Sequence, residues 1–273
     1  MSGLSPVYLK VNRRQPMTTR CLRFWAAVAA DADVYLVCEW DEATRAEWVP
    51  PELNYRELVP TSDRARSAVH GKVPPRWRKA GAPQMTTADH ATANRLDQYW
   101  SIDGDDTLFL NDPAGVRAKM IEVQTVMSER NISAASLDFY HTYIDHWCFG
   151  VACFRSDVDY FDLLAAVDPR EAARHFAQDD ANWNGPWGTR DESGRFGRDR
   201  VAVNMNLDWL FTYMRDVGTL RAASFYFDET YFLHAGLELF PVFDQYGYTM
   251  RGLYHWKDGA LWDDPVRENV IRI

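Results

Sequence analysis

The N-terminal part of the chain changes from a strand pattern to a helix pattern and back, and this order constrains the fold more than any other feature. Residues 6–11 are rich in β-formers, and residues 34–38 form a continuous apolar run typical of a buried strand. Residues 20–30 between them carry apolar side chains at helical spacing. A strand, a helix and a strand in this order form a βαβ unit with parallel strands. The sequence therefore predicts a single α/β domain with a mostly parallel central sheet flanked by helices.

The rest of the chain continues to alternate between strand and helix patterns. Prolines interrupt residues 42–83, where the pattern assigns no element. Residues 168–200 are polar and rich in glycine and aspartate, which predicts a long loop or lid. The remaining pattern predicts helices over 87–98, 116–130, 207–214 and 231–240, and strands over 99–102, 136–143, 146–154, 222–227 and 249–254.

Size and charge limit the class of protein. The 273 residues are 47% hydrophobic, enough for one large domain or two small ones, and disorder is excluded as the main state. The 39 acidic residues outnumber the 30 basic ones, which argues against a general nucleic-acid binder. The longest apolar stretch near the N-terminus, residues 24–30, is far shorter than the ~20 residues of a spanning helix. No export signal is visible, so we expect a cytoplasmic protein without a transmembrane segment; peripheral membrane contact stays open.

Residues 64–79 form a basic segment that contrasts with the acidic chain. The segment has six basic side chains and no acidic one. Two interpretations stay open, a solvated surface loop and a contact for a phosphate-bearing ligand.

The four cysteines predict buried free thiols. Cys21, Cys38, Cys148 and Cys153 lie among aromatic and aliphatic neighbours, and none belongs to a C-x-x-C motif. This pattern is typical of thiols in a reducing compartment.

The strongest chemical signal is an acidic cluster directly after the strand predicted at 99–102. Asp103, Asp105 and Asp106 surround Gly104, which we expect to allow a tight turn. Carboxylates presented together repel each other unless a cation lies between them. Mg²⁺ and Mn²⁺ suit such oxygens and often bind through one or two protein carboxylates while substrate phosphates supply further ligands. The cluster therefore predicts a site for a metal ion and a phosphate-bearing substrate.

One family that the cluster resembles is the haloacid-dehalogenase-like phosphatases. Residues 103–107 fit their D-x-D-x-T signature, which implies Asp103 as nucleophile and Asp105 as acid and base. That family carries the motif on its first strand and needs a downstream lysine followed by another strand with acidic metal ligands. The lysines after Asp103 are Lys119, in the next predicted helix, and Lys257, close to the end of the sequence. The motif thus lacks its expected context, and the phosphatase stays an alternative.

Most of the chain, from about residue 6 to residue 257, resembles a GT-A-type glycosyltransferase, which has a Rossmann-type sheet. The strand ending at Asn12, the strand ending in residues 38–41 and the D-x-D element at residues 102–106 look like its nucleotide-binding half. Residues 150–157 resemble the acceptor-side strand of the inverting enzymes. Residues 227–230 look like their acidic catalytic-base element, with the usual Glu-Asp order reversed. The resemblance implies a donor-binding half at 1–110 and an acceptor-binding, catalytic half at 111–273 of one continuous domain.

The resemblance implies a metal-dependent transferase that uses Mn²⁺ or Mg²⁺. It moves a sugar from a nucleotide-diphosphate donor, UDP- or GDP-linked, to a hydroxyl of a glycan or related acceptor, with inversion as the expected course. Proton removal from that hydroxyl needs a general base. The implied site residues are Asn12, Glu39, Asp41 and Asp103 for the nucleotide, Asp103, Asp105, Asp106 and His255 for the cation, and Asp228 or Glu229 for the base. His255 has an equally good interpretation as an ordinary strand-end histidine.

Two further expectations concern sugar binding. Trp183 and Trp187, two of the 11 tryptophans, lie in the glycine-rich loop, where an indole could stack on a sugar ring. We expect this loop to fold over the donor or acceptor and exclude water. A non-catalytic protein that binds a nucleotide or a carbohydrate is a second alternative to the transferase.

Overall fold

The structure is a computed structural model. The residues that it describes are 3–14, 16–60, 75–105, 107–109, 112–137, 139–141, 144–147, 149–177, 207–225, 232–233 and 271–273.

Strands and helices alternate along the described chain. The strands are β1 Val7–Lys10, β2 Val34–Val37, β3 Arg56–Leu58, β4 Gln98–Asp103, β5 Leu108–Phe109, β6 Ala134–Leu137, β7 Phe139–His141, β8 Ile144–His146, β9 Val151–Arg155, β10 Ala222–Phe225, β11 Phe232–Leu233 and β12 Ile271–Arg272. The helices are α1 Pro16–Val28, α2 Glu42–Trp48, α3 Pro75–Ala93, α4 Pro113–Glu129, α5 Tyr160–Ala166, α6 Pro169–Ala177 and α7 Leu207–Asp216. None of these helices is long and apolar enough to cross a membrane.

The central sheet confirms the predicted α/β class. In the described part of the chain it has eight strands in the order β12-β10-β6-β9-β4-β1-β2-β3. All of them run parallel except β9, which lies antiparallel between β4 and β6. Strands from both the 1–110 and the 111–273 segment belong to this one sheet.

Helices cover both faces of the sheet, and this explains why its strands are apolar on both sides. Successive side chains of a strand alternate between the faces. We call the face to which Leu9 belongs the first face; α1 and α4 pack there through Trp25 and Met120. We call the other the second face, where Tyr8 lies with residues of α3, α5 and α7 such as Met85. By this alternation, Lys10 and Asp103 belong to the second face.

The βαβ unit and the strand at 99–102 are confirmed, but several element boundaries differ from the prediction. Helix α3 begins before residue 87, and it ends at Ala93 because the chain turns at Arg95, whose φ is 53°. Residues 42–83, left unassigned, contain α2, β3 and the start of α3.

Two further predictions were wrong where the structure describes them. Helix α6 lies inside the predicted loop 168–200; it is polar except for a buried side, where Ala172 is fully covered. The start of the predicted helix 231–240 is strand β11, because Phe232 pairs with Phe109 of β5. The predicted strand 249–254 and the rest of both segments lie outside the described residues.

The cysteine prediction is confirmed for the three cysteines that the structure describes. Cys21, Cys38 and Cys153 are buried free thiols, and Cys148 lies outside the described residues. Burial raises the pKa of the Cys38 and Cys153 thiols, which keeps both in the unreactive protonated form.

A row of small side chains crosses the second face near the carboxyl ends of the parallel strands. Ser101, Ala152, Ser136 and Ser224 are successive partners across β4, β9, β6 and β10. Ser101 donates a hydrogen bond of 2.7 Å to Gln84 Oε1. The hydroxyls of Ser136 and Ser224 are both buried and have no hydrogen-bond partner in the described chain.

Ser101 has a hydrogen-bond partner, whereas Ser224 has none in the described chain, so replacing each by alanine should have opposite effects on stability. A buried hydroxyl without a partner costs about 1–3 kcal/mol. We therefore expect Ser224→Ala to raise the free energy of unfolding by about 1 kcal/mol, because it removes that cost. Ser101→Ala is the matched control and should lower it by about 1 kcal/mol, since Gln84 loses its donor. Urea unfolding measures both, and a loss of stability in Ser224→Ala would mean that this hydroxyl has a partner.

Candidate functional site

The strand order identifies one edge of the sheet as the place for a ligand. From β1 the chain passes through α1 to β2 on one side, whereas β4 lies on the other side of β1. In open α/β sheets, ligands bind outside the carboxyl ends of the strands at the point where the strand order reverses. We give the name switch-point edge to three segments here: residues 11–14 after β1, residues 38–41 after β2, and residues 103–105, which begin with the last residue of β4.

A buried ion pair joins β1 to β4 at this edge. Lys10 and Asp103 are partners in the parallel register, and Lys10 Nζ lies 2.7 Å from Asp103 Oδ1. The same ammonium donates a hydrogen bond of 3.1 Å to the carbonyl oxygen of Phe149. The Lys10 side chain is 6% exposed and that of Asp103 is 31% exposed. Lys10 therefore holds Asp103 in place while part of the carboxylate faces solvent.

Sequence reasoning missed Lys10. The usable signal was a single charged residue at the end of an otherwise apolar strand run, residues 7–11. A lysine is almost never fully buried without a partner, so its position predicts an acidic neighbour on an adjoining strand.

Asp105 contacts the segment after β1. Its Oδ2 accepts hydrogen bonds from the backbone N–H groups of Asn12, at 2.7 Å, and Arg13, at 2.6 Å. Asp105 is 6% exposed. Thr18 of α1 donates a hydrogen bond of 3.0 Å to the carbonyl oxygen of Arg13. The carboxylate and the hydroxyl together fix the backbone that leads from β1 into α1.

Gly104 separates the two aspartates and lies in a turn, as predicted, but backbone conformation is not the reason for glycine here. Its φ is outside the left-handed region, so no special backbone conformation requires glycine. A Cβ at this position would lie 3.0 Å from Leu9 Cβ and 3.5 Å from Leu22 Cδ2. The Gly104 N–H donates a hydrogen bond of 2.8 Å to the carbonyl oxygen of Lys10. Glycine is needed here because the backbone after β4 approaches β1 and α1 closely.

The segment after β2 presents Glu39 and Asp41, both exposed. Asp41 is the N-cap of α2, and its Oδ1 accepts a hydrogen bond of 2.8 Å from the Thr44 N–H. The hydrogen bonds from Thr44 and, less strongly, the nearby Arg14 cation lower the pKa of Asp41. Asn12 and Arg14 are exposed on the adjoining segment after β1. The first two segments of the edge thus offer polar side chains to a ligand.

The described residues fit a cation through Asp103 but not through Asp105. Asp103 has a second carboxylate oxygen beyond the one that contacts Lys10. The Asp105 carboxylate is buried, and its Oδ2 already accepts two N–H groups. Within the ranges that the structure describes, no group of three or more His, Cys, Asp or Glu side chains could hold a metal ion.

The other predicted site residues lie outside the described part of the chain. These are Asp106, Asp228, Glu229 and His255, together with Trp183 and Trp187 of the predicted lid and residues 64–74 of the basic segment. Their predicted roles stay predictions.

The sequence matches no model of a known protein family and no curated protein. A function is therefore inferred from the chemistry of the switch-point edge.

The ion pair predicts a measurable coupling between Lys10 and Asp103. Lys10→Met leaves the Asp103 carboxylate and the Phe149 carbonyl without their donor, so we expect it to lower the free energy of unfolding by about 1–3 kcal/mol. Combined with Asp103→Asn, the loss should be smaller than the sum of the single losses by at least about 0.5 kcal/mol. Denaturant unfolding of the four proteins measures this cycle. Additive losses would show that Lys10 does not hold Asp103.

The lowered pKa of Asp41 predicts a pH-dependent contribution to stability. Asp41→Asn keeps a good N-cap residue but removes the charge. The charged carboxylate contributes stability that is fully present above the ordinary pKa of about 3.9 and is lost as the pH falls through the lower folded pKa. We expect the wild type to exceed the variant in free energy of unfolding at pH 7, and the difference to shrink below about pH 4. A difference that does not change with pH would contradict the cap.

Proposed function

We propose that the chain is a glycosyltransferase with a GT-A-type arrangement, which transfers a sugar from a UDP- or GDP-linked donor to a hydroxyl of a glycan or related acceptor. The observation that carries the proposal is the reversal of strand order between β1 and β4, with Asp103 at the end of β4. The antiparallel strand β9 beside β4 is compatible with the mixed sheet that this arrangement requires.

The donor nucleotide in this proposal occupies the switch-point edge. The exposed side chains of Asn12, Glu39 and Asp41 supply hydrogen-bonding groups for the nucleoside. The exposed Arg14, close enough to Asp41 to affect its pKa, adds a positive charge for the diphosphate. Nucleotide sites of this kind combine a few convergent polar groups with a crevice that the fold already provides.

Asp103 is the described residue that would hold Mn²⁺ or Mg²⁺. Such ions often bind through one protein carboxylate and complete their shell with water and substrate phosphate oxygens. In this proposal, Asp106 and His255 are the other protein ligands of the ion. When bound, the ion neutralises the charge that develops on the leaving diphosphate. Lys10 fixes the orientation of Asp103, so the carboxylate needs little rearrangement to accept a ligand.

The transfer itself needs a base for the acceptor. Asp228 or Glu229 takes the proton of the acceptor hydroxyl, whose oxygen bonds to the anomeric carbon as the bond from that carbon to the diphosphate oxygen breaks. Inversion follows from this direct displacement. Both residues come shortly after β10 in the chain, and β10 runs parallel to β6 in the central sheet. The carboxyl end of β10 thus lies at the same edge as Asp103.

The contacts of Asp105 make the phosphatase the weaker alternative. A general acid has to carry a proton, whereas two backbone N–H donors stabilise the unprotonated Asp105 carboxylate. Burial also keeps this side chain away from a substrate.

Nucleotide binding tests the proposal directly. We expect UDP or GDP with Mn²⁺ at about 100 times Kd to raise the Tm of the wild type by about 5 °C or more. Asp103→Asn should remove most of that rise, because it weakens the contact to the cation and diphosphate. Asp97→Asn is the matched control, since Asp97 is an exposed aspartate at the other end of the same strand and should leave the rise unchanged.

A turnover assay separates the three candidate activities. The transferase releases free nucleoside diphosphate from one member of a panel of nucleotide-sugars, and Asp228→Asn or Glu229→Gln should reduce the release by at least about 100-fold without loss of binding. Hydrolysis of a generic phosphomonoester would favour the phosphatase instead. If the protein binds nucleotides but turns over no member of the full panel, it is a non-catalytic nucleotide-binding protein.

A further inference from the structure

We infer that Asp105 positions the donor-binding segment after β1 and is not a ligand of the cation. This inference rests on the proposed function, because the proposed function makes the segment after β1 part of the donor site. It divides the acidic cluster into two roles, with Asp103 facing the donor and Asp105 holding the backbone of Asn12 and Arg13.

The hydrogen bonds of the Asp105 carboxylate carry the inference. Both bonds to Oδ2, from Asn12 N at 2.7 Å and from Arg13 N at 2.6 Å, are short, as charge-assisted hydrogen bonds are. A cation at this oxygen would compete with these two N–H donors. Since Asp105 is 6% exposed, exchanging these bonds for metal ligation would also expose or strand buried polar groups.

The contacts of Asp103, Gly104 and Asp105 agree with this division. Asp103 belongs to the second face, where it contacts Lys10. The Asp105 backbone lies beside α1, since the Thr18 hydroxyl donates a hydrogen bond of 3.5 Å to the Asp105 carbonyl oxygen. Gly104 lies between the two aspartates at a close approach to Leu9 and Leu22, where an added Cβ would lie 3.0 Å from Leu9 Cβ. The Asp103 carboxylate contacts Lys10, whereas the Asp105 carboxylate contacts the backbone after β1.

The segment that Asp105 holds is fixed from three sides. Val11 N donates a hydrogen bond of 3.0 Å to the Val37 carbonyl oxygen of β2, and Thr18 contacts the Arg13 carbonyl oxygen at 3.0 Å. Asp105 adds the tie to the segment after β4. The exposed Asn12 belongs to this fixed segment at the switch-point edge, where the proposed nucleoside lies.

The inference predicts a loss of nucleotide affinity that does not depend on the metal. In Asp105→Asn, the neutral amide accepts weaker hydrogen bonds than a carboxylate, so the segment is held less firmly. We expect the variant to bind UDP or GDP about tenfold more weakly, and by the same factor with Mn²⁺ and with EDTA. A cation ligand would behave differently, because its loss would weaken binding only when Mn²⁺ is present.

Hydrogen exchange supplies a second measurement that needs no ligand. Mass spectrometry should show faster exchange in peptides covering residues 11–14 of Asp105→Asn, with the far end of the sheet unchanged. Asp159→Asn is the matched control, because Asp159 Oδ1 also accepts two backbone N–H groups, at 3.0 and 3.1 Å, at the start of α5. This control should exchange faster around residues 159–162 only and should keep its nucleotide affinity.

The outcomes separate this inference from the proposed function. If Asp105→Asn leaves exchange at 11–14 unchanged and weakens binding only with Mn²⁺, the inference is overturned and Asp105 is a cation ligand. If the wild type binds no nucleoside diphosphate, the proposed function fails, while the exchange experiment still decides whether Asp105 holds the segment. Should Asp105→Asn not fold, Thr18→Val removes the hydroxyl that bonds the Arg13 and Asp105 carbonyl oxygens and leaves the Asp105 carboxylate in place. It should speed exchange at 11–14 and weaken binding equally with Mn²⁺ and EDTA.

Discussion

The parallel register between β1 and β4 is the constraint on which the whole candidate site depends. Because Lys10 pairs with Asp103, the two charged side chains lie beside each other on the second face. One residue later, Gly104 meets Leu9 on the first face, and one residue further Asp105 reaches the segment after β1. A shift of β4 by one residue relative to β1 would send Asp103 to the apolar first face and away from Lys10, so the burial of α1 and α4 also enforces the geometry of the edge.

Asp103 and Asp105 of the acidic cluster make different contacts at the end of β4. Two aspartates separated by one residue can chelate one ion only if the backbone brings their carboxylates together. Here Asp105 accepts hydrogen bonds from the backbone N–H groups of Asn12 and Arg13, while Asp103 contacts Lys10. A cation at the proposed site would therefore compete with those N–H groups for the Asp105 carboxylate.

The parts of this fold that depend on local pattern could be predicted from the sequence. The βαβ unit followed from apolar spacing, and the polar residues Asn12, Asp41 and Asp103 follow strands that the sequence identified. Contacts between distant residues could not be predicted, since Asp105 and Asn12 are 93 positions apart. Helix α6 was missed because its polar surface resembles a loop, and β11 because a two-residue strand is defined by its partner β5 and not by its own pattern.

The ion pair also bears on how a donor and a cation would share this edge. Lys10 neutralises much of the charge of Asp103, and a buried ammonium cannot leave without stranding the Phe149 carbonyl as well. Asp103 alone is therefore a weaker site for a divalent ion than an unpaired carboxylate would be, because Lys10 repels that ion at close range. A nucleoside diphosphate supplies the missing negative charge. Within the proposed function, bound donor should therefore raise the affinity of the site for the cation. By linkage, bound cation should raise the affinity for the donor by the same factor.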